Sequence, residues 1–140
     1  PKERFIIILD SFLPRYLNVL KKYKTEIEEI RIEGHTSSRY EAAESLDEAY
    51  IKNMDLSQCR TREVLSYLLQ HPGTQINKSW SKDKITANGL SSSKIIINQE
   101  TGLEDEAKSK RVNFRVKAFN NQFEDWKNFI EEFGIKTNEN

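Results

Sequence analysis

Residues 111–118, RVNFRVKA, alternate without a break, with Val112, Phe114, Val116 and Ala118 on one side and Arg111, Asn113, Arg115 and Lys117 on the other. Successive side chains of an extended strand point to opposite faces, so this stretch predicts a strand with one face on a core and one in water. A second stretch, EEIRIE at 28–33, sets Ile30 and Ile32 against Arg31 and Glu33 in the same way. Strands of this kind need an apolar layer over one face, and the helical segments of the chain can supply it.

Between Phe5 and Tyr23, the residues Ile8, Leu9, Phe12, Leu13, Tyr16, Leu17 and Leu20 recur at spacings of three and four, a helical face. Pro14 lacks an amide hydrogen, so the helix either kinks there or a new one starts close to it. The run FIIIL at 5–9 also fits a short buried strand. Asp55 with Gln58 reads as a capping box opening a helix to Gln70, which His71, Pro72 and Gly73 end. Before it, residues 39–50 are polar and acidic and read as an exposed loop or short helix. After a polar loop holding Trp80, KITA at 84–87 reads as a short strand, with a turn at Asn88 and Gly89. Residues 91–110 read as loop with a short helix from Leu103 to Lys108. Past the last strand, Phe123, Trp126, Ile130 and Phe133 form a stripe opposite Glu124, Asp125, Glu131 and Glu132. It predicts an amphipathic helix that packs on the domain's own sheet or on a partner. The order helix, strand, helix, strand, strand, helix predicts an α/β two-layer sandwich, a mixed sheet covered by helices. Residues 1–118 would form the domain, and residues 119–140 an extra C-terminal helix and tail on or beside it.

The 140 residues suit one domain. Twenty-two basic side chains balance 22 acidic ones, and without a basic surplus nucleic acid is a disfavoured partner. Cys59 is the sole cysteine, which rules out an intrachain disulfide, a thiolate zinc cage and a CxxC redox centre. No apolar run approaches the ~20 residues that span a bilayer, and the chain begins at Pro1 without a signal-peptide pattern, so it reads as a piece of a longer protein. His35 and His71 lack a metal-ligand spacing, and His35 reads as a residue that holds its loop by hydrogen bonds. The serine-rich GLSSSK at 89–94 lacks the second glycine of a phosphate loop and reads as a flexible turn. No activated nucleophile accompanies the Ser, His and Asp residues, and Cys59 has no neighbouring histidine, so neither an enzyme nor a cofactor is expected.

One residue breaks the pattern. On a helix starting near Asp55, Arg60 falls in the sector of Leu56, Val64 and Tyr67 rather than with polar Arg62, Glu63 and Ser66. An arginine there, one turn from a helix N-terminus, suits a carboxylate ligand through two parallel hydrogen bonds. The other reading is an internal salt bridge to a nearby carboxylate.

IEGHT at 32–36 and NMDLSQCRTREVLSYL at 53–68 closely resemble the C-terminal domain family of OmpA and MotB, whose pattern is GHTD followed by NxxLSxxRAxxVxxYL. ITANGLSSSK and SKRVNFRV resemble that family's glycine turn and closing strand, so the resemblance covers about residues 5–118. It implies an OmpA-like fold and non-covalent binding of bacterial peptidoglycan through a stem peptide of the diaminopimelate type. By the family pattern Arg60 grips a stem-peptide carboxylate, Asn53 and Leu56 line the groove, Thr36 stands at its edge, and Arg111 is retained in the closing motif. Ser37 replaces the family's aspartate after GHT, with Asp47, Glu48 or Asp55 as compensating carboxylates; Ser109 and Lys110 replace the closing Asn and Arg. A narrower resemblance, carried by GHTSS, the acidic insertion ending in Tyr50 and the tail with Trp126, is to MotB-like subunits of Zorya anti-phage systems and related stator proteins. It implies a periplasmic domain, homodimers, a MotA-like membrane subunit as partner, and a role as cell-wall anchor. The rival expectation is an OmpA-like interaction scaffold that has lost ligand binding.

Overall fold

The structure, a computed structural model, describes residues 3–72, 74 and 78–119. The stripe expected from Phe123 to Phe133 lies outside them, as does Gly73, while the helix expected to run to Gln70 does end there, with His71 as its C-cap. Three strands form one mixed sheet in the order β2-β1-β3. The central strand β1 (Ile27–His35) runs parallel to β2 (Ile85–Gly89) and antiparallel to β3 (Arg111–Ala118). Parallel neighbours need a crossover, and the chain makes it with α2 (Leu46–Gln70) and α3 (Lys78–Lys84).

The alternation does what it predicts on the covered face. Ile30, Ile32, Ile85 and Val116 share one buried cluster with Leu13, Tyr16 and Leu20 of α1 (Glu3–Lys22) and Val64 and Leu68 of α2. Phe12 stacks on Tyr16, and both meet the tilted ring of Phe114, at centroid separations of 5.1–5.4 Å, fastening α1 to the edge strand. Residues 5–9 belong to this helix and not to a strand, and Pro14 sits inside it without ending it. The opposite face of the sheet is polar, but Glu33 on it is only 2 % exposed. Its carboxylate lies 3.8 Å from the guanidinium of Arg31 and 3.7 Å from that of Arg115, the residue paired with Arg31 across the ladder.

Helix α2 starts nearly three turns earlier than the Asp55 capping box predicts. Ser45 is the N-cap: its Oγ accepts from the Glu48 amide at 3.0 Å, while the Glu48 carboxylate accepts from the Glu44 amide at 3.1 Å. Residues 46–50 of the acidic insertion are therefore helix, with Asp47 and Glu48 at the positive end of the macrodipole. Trp80 lies in α3 and not in a loop. Asn88 and Gly89 end β2 instead of forming a turn, because β2 meets α2 there: a Cβ on Gly89 would stand 2.3 Å from Gln58 Cγ. The expected helix at Leu103–Lys108 shortens to α4 (Glu106–Ser109), capped by Asp105. The residues before it fold into a small excursion closed by the bridge between Ile97 and Glu104.

Candidate functional site

β1 brings Gly34 against α2, where a Cβ would lie 2.8 Å from the Ser57 carbonyl oxygen, and the chain then turns into the loop 36–40 over that helix. The loop is held from several sides. The Thr36 amide donates to the Ser91 carbonyl at 2.9 Å, and Thr36 Oγ1 donates to the Ser37 carbonyl at 2.8 Å. Asn53 Nδ2, reaching up from α2, donates to the carbonyls of Ser37 at 3.1 Å and Arg39 at 3.3 Å. The Glu104 carboxylate accepts from both the amide and the hydroxyl of Ser38.

Between this loop, α2 and α4 opens a groove of about 520 Å³. The loop contributes Thr36, Ser37 and residues 39–42, α2 contributes Asn53, Leu56 and Arg60, and the α4 region contributes Glu106 and Lys110. Both charge signs face it: Arg39 and Glu106 stand 4.0 Å apart, Glu41 adds a second carboxylate, and Arg60 and Lys110 add cations. Arg60 is exposed and, among the described residues, makes no hydrogen bond or ion pair. A guanidinium always carries its charge, so at the lip of a groove it presents five undirected donors to whatever anion enters.

Of the six expected site residues, Thr36, Ser37, Asn53, Leu56 and Arg60 line this groove and Arg111 does not. Arg111 donates to the Ser109 carbonyl through Nη1 and to the Lys94 carbonyl through Nη2, both at 3.0 Å. Lys110 faces the groove, and its neighbour in an extended chain points the other way. Arg111 thus ties the start of β3 to the turn after β2. The argument from the helix N-terminus fails as well, since Arg60 sits well inside α2, where amides are already bonded and the dipole has faded. Asp47, Glu48 and Asp55 are not among the lining residues, whose carboxylates are those of Glu41 and Glu106.

Two residues have other roles than expected. Ser91, in the turn read as flexible, is fully buried with φ of 53°. Its amide donates to Ser57 Oγ at 3.1 Å, its hydroxyl to the Tyr50 carbonyl at 2.6 Å, and its carbonyl receives Thr36. Nothing in GLSSSK distinguishes this serine from its neighbours, because the groups that claim it lie dozens of residues away. His35 is 1 % exposed, and neither ring nitrogen has a hydrogen-bond partner, so it does not tether the loop. Burial, followed by the nearby charges of Arg111, Arg115 and Lys94, lowers its pKa to about 4 and keeps the ring neutral at physiological pH.

This arrangement of a GHT-type loop over a helix bearing NxxLSxxR agrees with the comparison with known proteins. The OmpA family profile matches residues 10–111, and the chain belongs to the OmpA family. It is also 46 % identical over 115 residues to the Zorya protein ZorB of Escherichia coli (strain ATCC 8739), an alignment covering 82 % of this chain. The chain spans about half of that relative's length, at 48 %. No helix among the described residues is long and apolar enough to cross a membrane.

Proposed function

We propose that this domain binds bacterial peptidoglycan non-covalently and anchors a membrane complex to the cell wall, without doing chemistry of its own. The observation that carries the reading is the unpaired Arg60 guanidinium at the groove, beside Leu56 and the hydroxyl-bearing Thr36 and Ser37. In the bound state Arg60 holds a carboxylate of a stem peptide of the diaminopimelate type, Leu56 covers its methylenes, and Glu41 or Glu106 faces its ammonium group. The likeness to the Zorya protein supports a stator-like setting: a periplasmic domain, paired as a homodimer and joined to a MotA-like subunit.

Sedimentation with purified sacculi tests this. The wild-type chain co-pellets, whereas Arg60→Ala loses about 10- to 100-fold in affinity, the value of a hydrogen-bonded charge pair of roughly 1.5–3 kcal/mol. Leu56→Ala loses less, and both variants keep the wild-type melting temperature because the two side chains lie at the surface. Equal pelleting by Arg60→Ala rejects the anchor site. A second reading, a protein-interaction scaffold, draws on Leu46 and Ile51, which are 87 % and 60 % exposed on the first turns of α2. Failure of the wild-type chain to pellet favours it.

A further inference from the structure

We infer that Glu104 is a positioning residue for the groove, a clamp that sets the shape of the loop carrying Ser37, Arg39 and Tyr40; this rests on the peptide-binding reading above. Glu104 lies 66 residues from Ser38 in the chain, and its carboxylate spends both oxygens on that one residue, Oε2 on the amide and Oε1 on the hydroxyl. The excursion that carries it is braced from within. The Asn98 amide donates to the Leu103 carbonyl at 2.8 Å, Asn98 Oδ1 accepts from the amides of Glu100 and Thr101, and the Asp105 amide donates to the Ile96 carbonyl at 2.7 Å. Gly102 takes a left-handed φ of 72° at its tip. Ser109 Oγ, in turn, accepts from the Ile96 amide at 2.9 Å, tying the base of the excursion to α4.

A self-supporting excursion that ends on a two-point grip is what a rigid prop requires. Hydrogen bonds to a carboxylate are roughly twice as strong as neutral ones. Ser38 lies between the two carbonyls that Asn53 holds, so the loop is fixed from α2 on one side and from the excursion on the other. Releasing Glu104 removes the hold on Ser38 and leaves the loop to Asn53, the adjacent Thr36 hydroxyl on the Ser37 carbonyl, and the exposed Arg39–Glu106 pair at 4.0 Å. The loop then samples conformations in which the groove is not formed, and the fraction of competent molecules scales the apparent affinity.

The test is calorimetric titration of the 140-residue chain with a stem tripeptide ending in diaminopimelate, together with amide hydrogen exchange at Ser38. Glu104→Ala weakens binding roughly tenfold and removes protection of the Ser38 amide, with the melting temperature little changed. Glu104→Gln, which keeps one acceptor oxygen, recovers part of the affinity, and Glu104→Asp, one methylene short, does not. The Ser38→Ala and Glu104→Ala losses are not additive, since Ser38→Ala removes the hydroxyl half of the grip that Glu104→Ala removes whole. Wild-type affinity in Glu104→Ala, with Arg60→Ala still defective, overturns the clamp and leaves the binding site standing; fully additive losses overturn it too. If the wild-type chain binds no peptide, the functional reading fails, and exchange at Ser38 decides the clamp alone: unchanged protection in Glu104→Ala overturns it.

Discussion

His35 shows how a single side chain links the fold to pH. Its ring is buried on the polar side of the sheet, opposite Arg111 in the ladder and within the field of Arg115 and Lys94, with the Glu33 carboxylate on the same face. Desolvation comes first among the causes that bring its pKa down from 6.5 to about 4. Between these values the unfolded chain binds a proton that the folded chain refuses, so the stability His35 allows is complete above pH 6.5 and is lost as pH falls toward 4. Replacement by glutamine should flatten the dependence of unfolding free energy on pH in that window, a change on the order of 1–3 kcal/mol. Urea denaturation at half-unit pH intervals measures it, and an unaltered slope in His35→Gln would mean that other groups carry the acid sensitivity.

Among the elements, α2 is the one whose length matters to the site. Its first turns place Ala49 and Asn53 on the buried side, and Asn53 then reaches the loop. The start of the helix depends on Ser45, whose hydroxyl satisfies one of the four unpaired amides at the N-terminus. Ser45→Ala should cost about 1 kcal/mol of global stability and speed amide exchange over residues 46–49. Exchange no faster than wild type would show that tertiary contacts hold this end without the cap. The Ser45–Glu48 pair is as legible in the sequence as Asp55–Gln58, and both fit the capping pattern. The choice between them was made by what each start would bury: beginning at Asp55 leaves Asn53 outside the helix and the loop carbonyls without their donor. Pro14 illustrates the same contest in α1, where packing of Leu13, Tyr16 and Leu20 outweighs a missing backbone hydrogen bond.

Across the whole molecule, the site exists because backbones approach each other where two glycines permit it. Gly89 presses β2 onto α2, with a Cβ position 2.5 Å from the Gln58 amide nitrogen, so Gly89→Ala must push sheet and helix apart. A loss of about 1–3 kcal/mol is expected from denaturant titration, as for other overpacked contacts; an unchanged midpoint would mean that the helix shifts at no cost. Residue spacing alone determined the two clearest strands, the α1 face and the half-buried character of the sheet, and the GHT and NxxLSxxR motifs carried the resemblance to the family, because periodicity and motif are properties of neighbours in sequence. Burial of Glu33, the true start of α2, the departure of Arg111 from the groove and the hidden role of Ser91 were decided by tertiary structure. Each depends on groups far along the chain, such as Ser91 with Tyr50, 41 residues away, and no local pattern records which distant partner a polar side chain will meet.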